Sequence, residues 1–100
     1  MWEKNPYYNP EALGLEIVEQ LNPYLSYEFD MVVVWREVES GNLYWAADAG
    51  CSCPTPFEDY NSVESLNKFN YEEIASAVKN RYGASDAEKR DFLRKVSTLG

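Results

Sequence analysis

The clearest pattern along the chain is Tyr27-Glu28-Phe29-Asp30-Met31-Val32-Val33-Val34-Trp35-Arg36-Glu37-Val38. It alternates apolar and polar residues at both ends and is continuously apolar in the middle. It is rich in β-branched and aromatic side chains, which predicts a central strand. Glu39-Ser40-Gly41-Asn42 reads as a hairpin turn, with glycine where a positive φ is needed. Leu43 to Asp48 returns as the paired strand, so the central hairpin is expected over residues 27–48. Upstream, Asn9-Pro10-Glu11 has the order of a helix start: a cap, proline at the first helical position, then an acid. Leu13, Ile17 and Leu21 have helical spacing, whereas Leu15 and Ile17 after Gly14 suit a strand. We expect one helical turn over 10–13, then a strand over 15–20. Tyr7 and Tyr8 could pin the N-terminal arm to the core.

After Tyr60 the pattern turns helical. Asn61 or Ser62 can cap a short helix running through Phe69. Asn70-Tyr71-Glu72-Glu73 has capping-box order, and Tyr71, Ile74, Ala75, Val78 and Tyr82 form an apolar stripe, with Gly83 ending the helix. Ser85-Asp86-Ala87-Glu88 is a second capping box, followed by the stripe Phe92, Leu93, Val96 and Leu99. Arg94 and Lys95 fall near that helix's C-terminus, where its dipole favours cations. The fold expected is α+β: an antiparallel sheet of two to three strands, then C-terminal helices, in one domain spanning residues 1–100.

Charge sharpens this division. The chain of 100 residues has net charge −8. Residues 1–60 hold two bases against eleven acids, a net of −9, and residues 61–100 hold seven bases against six acids, a net of +1. An acidic half of this kind repels a nucleic-acid backbone, which needs cationic neutralisation. It suits a basic protein surface, or mimicry of nucleic acid that sequesters a DNA-binding protein. Acidity also keeps a small domain soluble. The chain has no histidine, which removes Ser-His-Asp and Cys-His catalysis and every histidine metal site. No apolar run approaches the length of a membrane span. The start has no basic region followed by an apolar one, so no signal peptide is expected and the protein is placed in a cytoplasm.

The chemical interest lies where the second strand runs out, at Gly50-Cys51-Ser52-Cys53-Pro54-Thr55-Pro56-Phe57-Glu58-Asp59-Tyr60. Pro54 and Pro56 cannot donate to a ladder and stiffen the segment. Gly50 marks a turn or a close backbone approach. Cys51 and Cys53 could chelate a metal, with Asp48, Glu58 or Asp59 completing the set. Zinc, however, ordinarily takes wider cysteine spacing and four ligands. Neither cysteine has a cation nearby in sequence to activate it. As small buried fillers they would need no chemistry at all. A rigid acidic segment flanked by aromatics can also dock on a protein, because aromatics dominate interface hot spots and rigidity lowers the entropic cost. The candidate binding residues are Trp45, Asp48, Phe57, Glu58, Asp59 and Tyr60. Tyr44 and Trp45 point to opposite faces of the sheet: an exposed one would mark an interface, and a buried one is packing. No catalytic residue and no cofactor are expected.

The runs Tyr27 to Arg36, Leu43 to Asp48 and Gly50 to Tyr60, with their Gly-Cys-Ser-Cys-Pro and Pro-Phe-Glu-Asp elements, resemble a family of small proteins encoded by actinobacteriophages and some of their hosts. The resemblance covers about residues 14–66. That family has no assigned function. The resemblance implies expression in a bacterial host cytoplasm and, by analogy with small phage accessory proteins, binding to a host or phage protein. The expected reading is thus a non-enzymatic protein-binding chain with the 48–60 segment as its docking surface. A metal-binding module through Cys51 and Cys53 and a nucleic-acid mimic are the alternatives.

Overall fold

A computed structural model describes residues 6–7, 9–21, 28–51, 63–81 and 84–99. Four antiparallel strands lie side by side in chain order: β1 (Leu15–Leu21), β2 (Glu28–Glu37), β3 (Leu43–Cys51) and β4 (Asn67–Lys68). Two helices, α1 (Tyr71–Lys79) and α2 (Asp86–Ser97), follow, and short 3-10 helices stand at Pro10–Leu13 and Val63–Ser65. The fold is α+β, as expected, but the sheet has four strands rather than two to three. Helical structure is also not confined to the C-terminal part.

The centre of β2 is buried on both faces, which is why residues 31–35 are apolar without interruption. Asp30, Val32 and Val34 of β2 face the helices. Val32 and Val34 pack there with Leu21, Trp45, Ile74, Val78, Phe92 and Val96. Their odd-numbered neighbours face the other way. Met31, Val33 and Trp35 pack there with Leu15, Ala46 and Leu66, and Tyr7 and Val63 close over them. Each fully buried valine of β2 contributes on the order of 1.5–3 kcal/mol through removal from water. Among the described residues, the cover on the second face is the arm at Tyr7 with Leu13 and Val63 of the two 3-10 helices. Trp35 Nε1 donates to the carbonyl of Pro6 at 2.9 Å, and the Tyr7 hydroxyl donates to Gln20 Oε1 at 2.9 Å. Tyr7 thus ties down the arm as expected, while Tyr8 lies outside the described residues.

The start of the chain resolves the ambiguity between helical and strand spacing. Pro10 opens the 3-10 helix, and Gly14 ends it with φ 72°. β1 then pairs with β2, Ile17 opposite Trp35 and Glu19 opposite Val34, so Val18 is an extra residue in a bulge. The bulge exchanges faces. Leu15 and Ile17 pack on the arm side, whereas Val18 and Leu21 pack on the helix side. Strict alternation is therefore absent from the sequence even though the segment is a strand.

The hairpin extends further than expected on one side. β3 continues past Asp48 to Cys51, which pairs with Glu28. Gly50 lies within this strand opposite Phe29. At the other end Val38 belongs to the turn, and Gly41 adopts φ 78° as its position requires.

Residues 63–69 are not a helix. One 3-10 turn ends at Ser65, Leu66 enters the arm-side core, and Asn67 and Lys68 pair with Trp45 and Tyr44. Phe69 N–H donates to the Leu43 carbonyl at 3.1 Å. Burying Leu66 and satisfying the edge of β3 outweigh helix propensity over so short a stretch.

Both helices start where the caps place them. Asn70 accepts from the Glu73 amide at 3.0 Å. Ser85 and Glu88 form a complete reciprocal box. α1 ends at Lys79 rather than at Gly83. Of its expected stripe Ile74 and Val78 are buried, Tyr71 at the first turn is 40% exposed, and Tyr82 lies outside the described residues. The α2 stripe forms as expected, with Phe92 and Val96 buried and Leu93 and Leu99 packed beside them.

Candidate functional site

The candidate segment begins on an inner strand of the sheet. β3 lies between β2 and β4, and its central residues are buried from both sides. Asp48 sits opposite Met31 and is half-buried. Three residues later the described part of β3 ends at Cys51, and the next described residue is Val63. Cys53, Phe57, Glu58, Asp59 and Tyr60 lie outside the described residues, as does the side chain of Cys51. The structure therefore fixes the two anchors of the segment: the register of Cys51 with Glu28, and the burial of Leu66 beside Val63.

Trp45 and Tyr44 point to opposite faces, and both faces are covered. Trp45 is 8% exposed in the helix-side core, and Tyr44 packs against the arm-side core. By the criterion set by their burial, both serve as packing. The Trp45 indole N–H is buried without a hydrogen-bond partner among the described residues. Such a group costs about 1–3 kcal/mol of desolvation, which the packing of the ring offsets.

Next to Asp48, on the opposite face, stands a charge that the chemistry of the loop did not anticipate. Asp30 is 2% exposed and pairs across the ladder with Ala49. Its Oδ1 lies 2.9 Å from Arg81 Nη1. Arg81 Nε donates to the Ala77 carbonyl at 3.1 Å, which holds the guanidinium against the end of α1. A signal for this pair exists in the sequence. Asp30 shares parity with Val32 and Val34, so a carboxylate is placed on a core face and requires a cation. Arg81, just beyond the last buried turn of α1, is suitably placed to supply it.

Other charged groups pair across the surface. Arg36 and Glu16, opposite each other on β2 and β1, form an ion pair in which Nε donates at 2.8 Å. On α2, Asp91 accepts from Arg94 and lies 3.2 Å from Lys95 Nζ. The hydrogen bond from Arg94, followed by that from Lys95, holds the Asp91 carboxyl below the ordinary aspartate value. Glu19, Glu88, Asp91 and Lys95 line an open depression of about 490 Å³ between β1 and α2. Among the described residues no three His, Cys, Asp or Glu side chains are grouped to hold a metal ion. No helix of the described residues is long and apolar enough to cross a membrane.

Fold and site together define a class: among the described residues, a four-stranded antiparallel meander with two helices on one face and the N-terminal arm on the other. The chain belongs to the family described as a domain of unknown function, DUF7574, whose model matches residues 4–99. The match takes in both C-terminal helices as well as the sheet. No curated protein and no solved structure matches the chain.

Proposed function

We propose that this protein is a non-enzymatic binding protein that docks on another protein through residues 48–60. The observation that carries this reading is the platform from which the segment springs. The centres of β2 and β3, Met31 to Trp35 with Trp45 and Ala46, are buried, and the ladder continues from them to pair Asp48 with Met31 and Cys51 with Glu28. A recognition segment anchored on a rigid strand loses less entropy on binding. Phe57 and Tyr60 supply the aromatic anchors and Asp48, Glu58 and Asp59 the charge, so the partner surface is basic. Trp45 supports the segment from the core. The resemblance to actinobacteriophage proteins makes the partner a host or phage protein, met in a bacterial cytoplasm.

The test is charge reversal at Glu58 and Asp59 to lysine, with the tagged chain used as bait in host lysate. The wild-type chain is expected to capture a defined protein and the variant to lose it, with the melting temperature nearly unchanged. Equal capture by both would remove this segment from the interface.

A further inference from the structure

The structure carries two exposed surfaces that are complementary to each other. The first is a groove of about 450 Å³ between α1 and α2. Its floor is Ala75, Val78 and Leu93, and its rim carries Lys79, Lys89 and Arg90 against the single acid Asp86. Lys89 Nζ lies 3.3 Å from the Lys79 carbonyl, so it is partly engaged in closing the end of α1. The side chains of Lys79 and Arg90 have no acidic partner among the described residues.

The second surface is the turn that joins β2 to β3. Val38 is 64% exposed, an unusual position for a β-branched apolar residue on so small a chain. Its exposure is imposed by the backbone: its N–H donates to the Gly14 carbonyl at 2.9 Å. Glu37 N–H donates to Asn42, and Gly41 N–H to Glu37, both at 2.8 Å, which fixes the turn. Beside the turn, Glu11, Glu37 and Glu39 line a depression of about 400 Å³ together with Leu13 and Val38. Glu37 accepts from the Ser40 hydroxyl, which leaves Glu11 and Glu39 as the acids beside the exposed Val38, whereas on the helices an apolar groove is rimmed by three cations.

We propose that the α1–α2 groove receives the β2–β3 turn of a second copy of this chain, with Val38 on the apolar floor and Glu39 against Lys79 and Arg90. Both surfaces are open and share no lining residue. Each chain offers one turn and one groove, so copies add head to tail or exchange turns reciprocally in a two-fold pair. A single turn in a shallow groove buries less than the roughly 1,000 Å² of a stable interface, so the association is weak and appears at high concentration. The net charge of −8 opposes it. At physiological salt, screening over about 8 Å leaves the local pairs to decide.

Sedimentation velocity and light scattering over a wide concentration range test this. The wild-type mass should rise with concentration. A turn variant, Val38→Ser with Glu39→Lys, and a groove variant, Lys79→Glu with Arg90→Glu, should each stay monomeric while keeping wild-type circular dichroism. Mixed one to one, they should form a heterodimer that grows no further, because the intact groove of one takes the intact turn of the other. If either variant proves unfolded, the single substitutions Val38→Ser and Arg90→Glu serve in its place. A wild-type chain that stays monomeric throughout overturns the proposal. So does self-association that survives in either variant, or a mixture that does not associate.

Discussion

Arg81 closes a distance of 51 positions to place its guanidinium 2.9 Å from the buried carboxylate of Asp30. Asp30 belongs to the central strand and Arg81 to the chain just beyond α1, so the pair clips the helix layer to the sheet. Desolvating the two charges offsets much of their attraction, yet removing one alone leaves the other buried and uncompensated. Arg81→Ala is therefore expected to cost about 3–5 kcal/mol. Replacing both partners with apolar residues, as in Asp30→Leu with Arg81→Met, should cost much less. Urea denaturation of the two proteins measures the difference, and equal losses would show that the pair is not coupled.

The tryptophans offer a second test. Trp35 donates its indole N–H to Pro6, whereas the same group of Trp45 is buried without a partner among the described residues. Trp35→Phe strands the Pro6 carbonyl and loosens the arm; Trp45→Phe removes an unsatisfied donor. Both lose ring volume, so both destabilise, but Trp35→Phe should be worse by about 1–2 kcal/mol. Chemical denaturation ranks them, and the reverse order would refute the assignment of the arm as the Trp35 acceptor.

Gly41 has φ 78°, and nothing lies within 4 Å of where a Cβ would stand. Alanine there meets backbone strain and no clash. Gly41→Ala should cost about 1 kcal/mol, read as a lower urea midpoint with unchanged slope. A larger loss would mean that the turn also supports packing elsewhere.

The Asp91 carboxyl is held below its ordinary value chiefly by the hydrogen bond from Arg94. A depressed value in the folded state means that the stabilisation is fully present above the unfolded-state value of about 3.9 and fades as pH falls through the folded value. Melting temperature should therefore drop on acidification with a contribution that Asp91→Asn abolishes. Melts of both proteins between neutral pH and the acid range should converge at low pH. Parallel curves would show that the pairs to Arg94 and Lys95 do not persist in solution.

Much of this architecture is written in local signals. Capping residues at Asn70 and Ser85, glycine at position 41 and the β-branched apolar run around Val33 each act within a few residues, and their elements form where those residues stand. Features set by distant parts of the chain are harder to read. The Val18 bulge breaks the alternation of β1. β4 is two residues long and exists because β3 has an edge to satisfy. The arm-side core depends on Pro6 and Tyr7 meeting Trp35 across almost thirty residues. The candidate site divides similarly. Trp45 belongs to the core and Asp48 to the supporting strand, while the residues from Cys53 to Tyr60 lie outside the described part. Asp30 was legible from its parity with two buried valines, yet the partner it needs is supplied by a helix that follows much later.

The double burial of β2 gives the strand the character of a wall shared by two rooms. Val32 and Val33 are joined by a peptide bond, yet each meets a different set of neighbours: Ile74 and Val78 on one side, Leu15 and Leu66 on the other. Substitutions at these two adjacent positions should add almost independently, whereas Val32 and Ile74, more than forty residues apart, should not. Within the family, volume changes would then be compensated by correlated changes on the same side of the wall, leaving two interiors free to diverge separately around one strand.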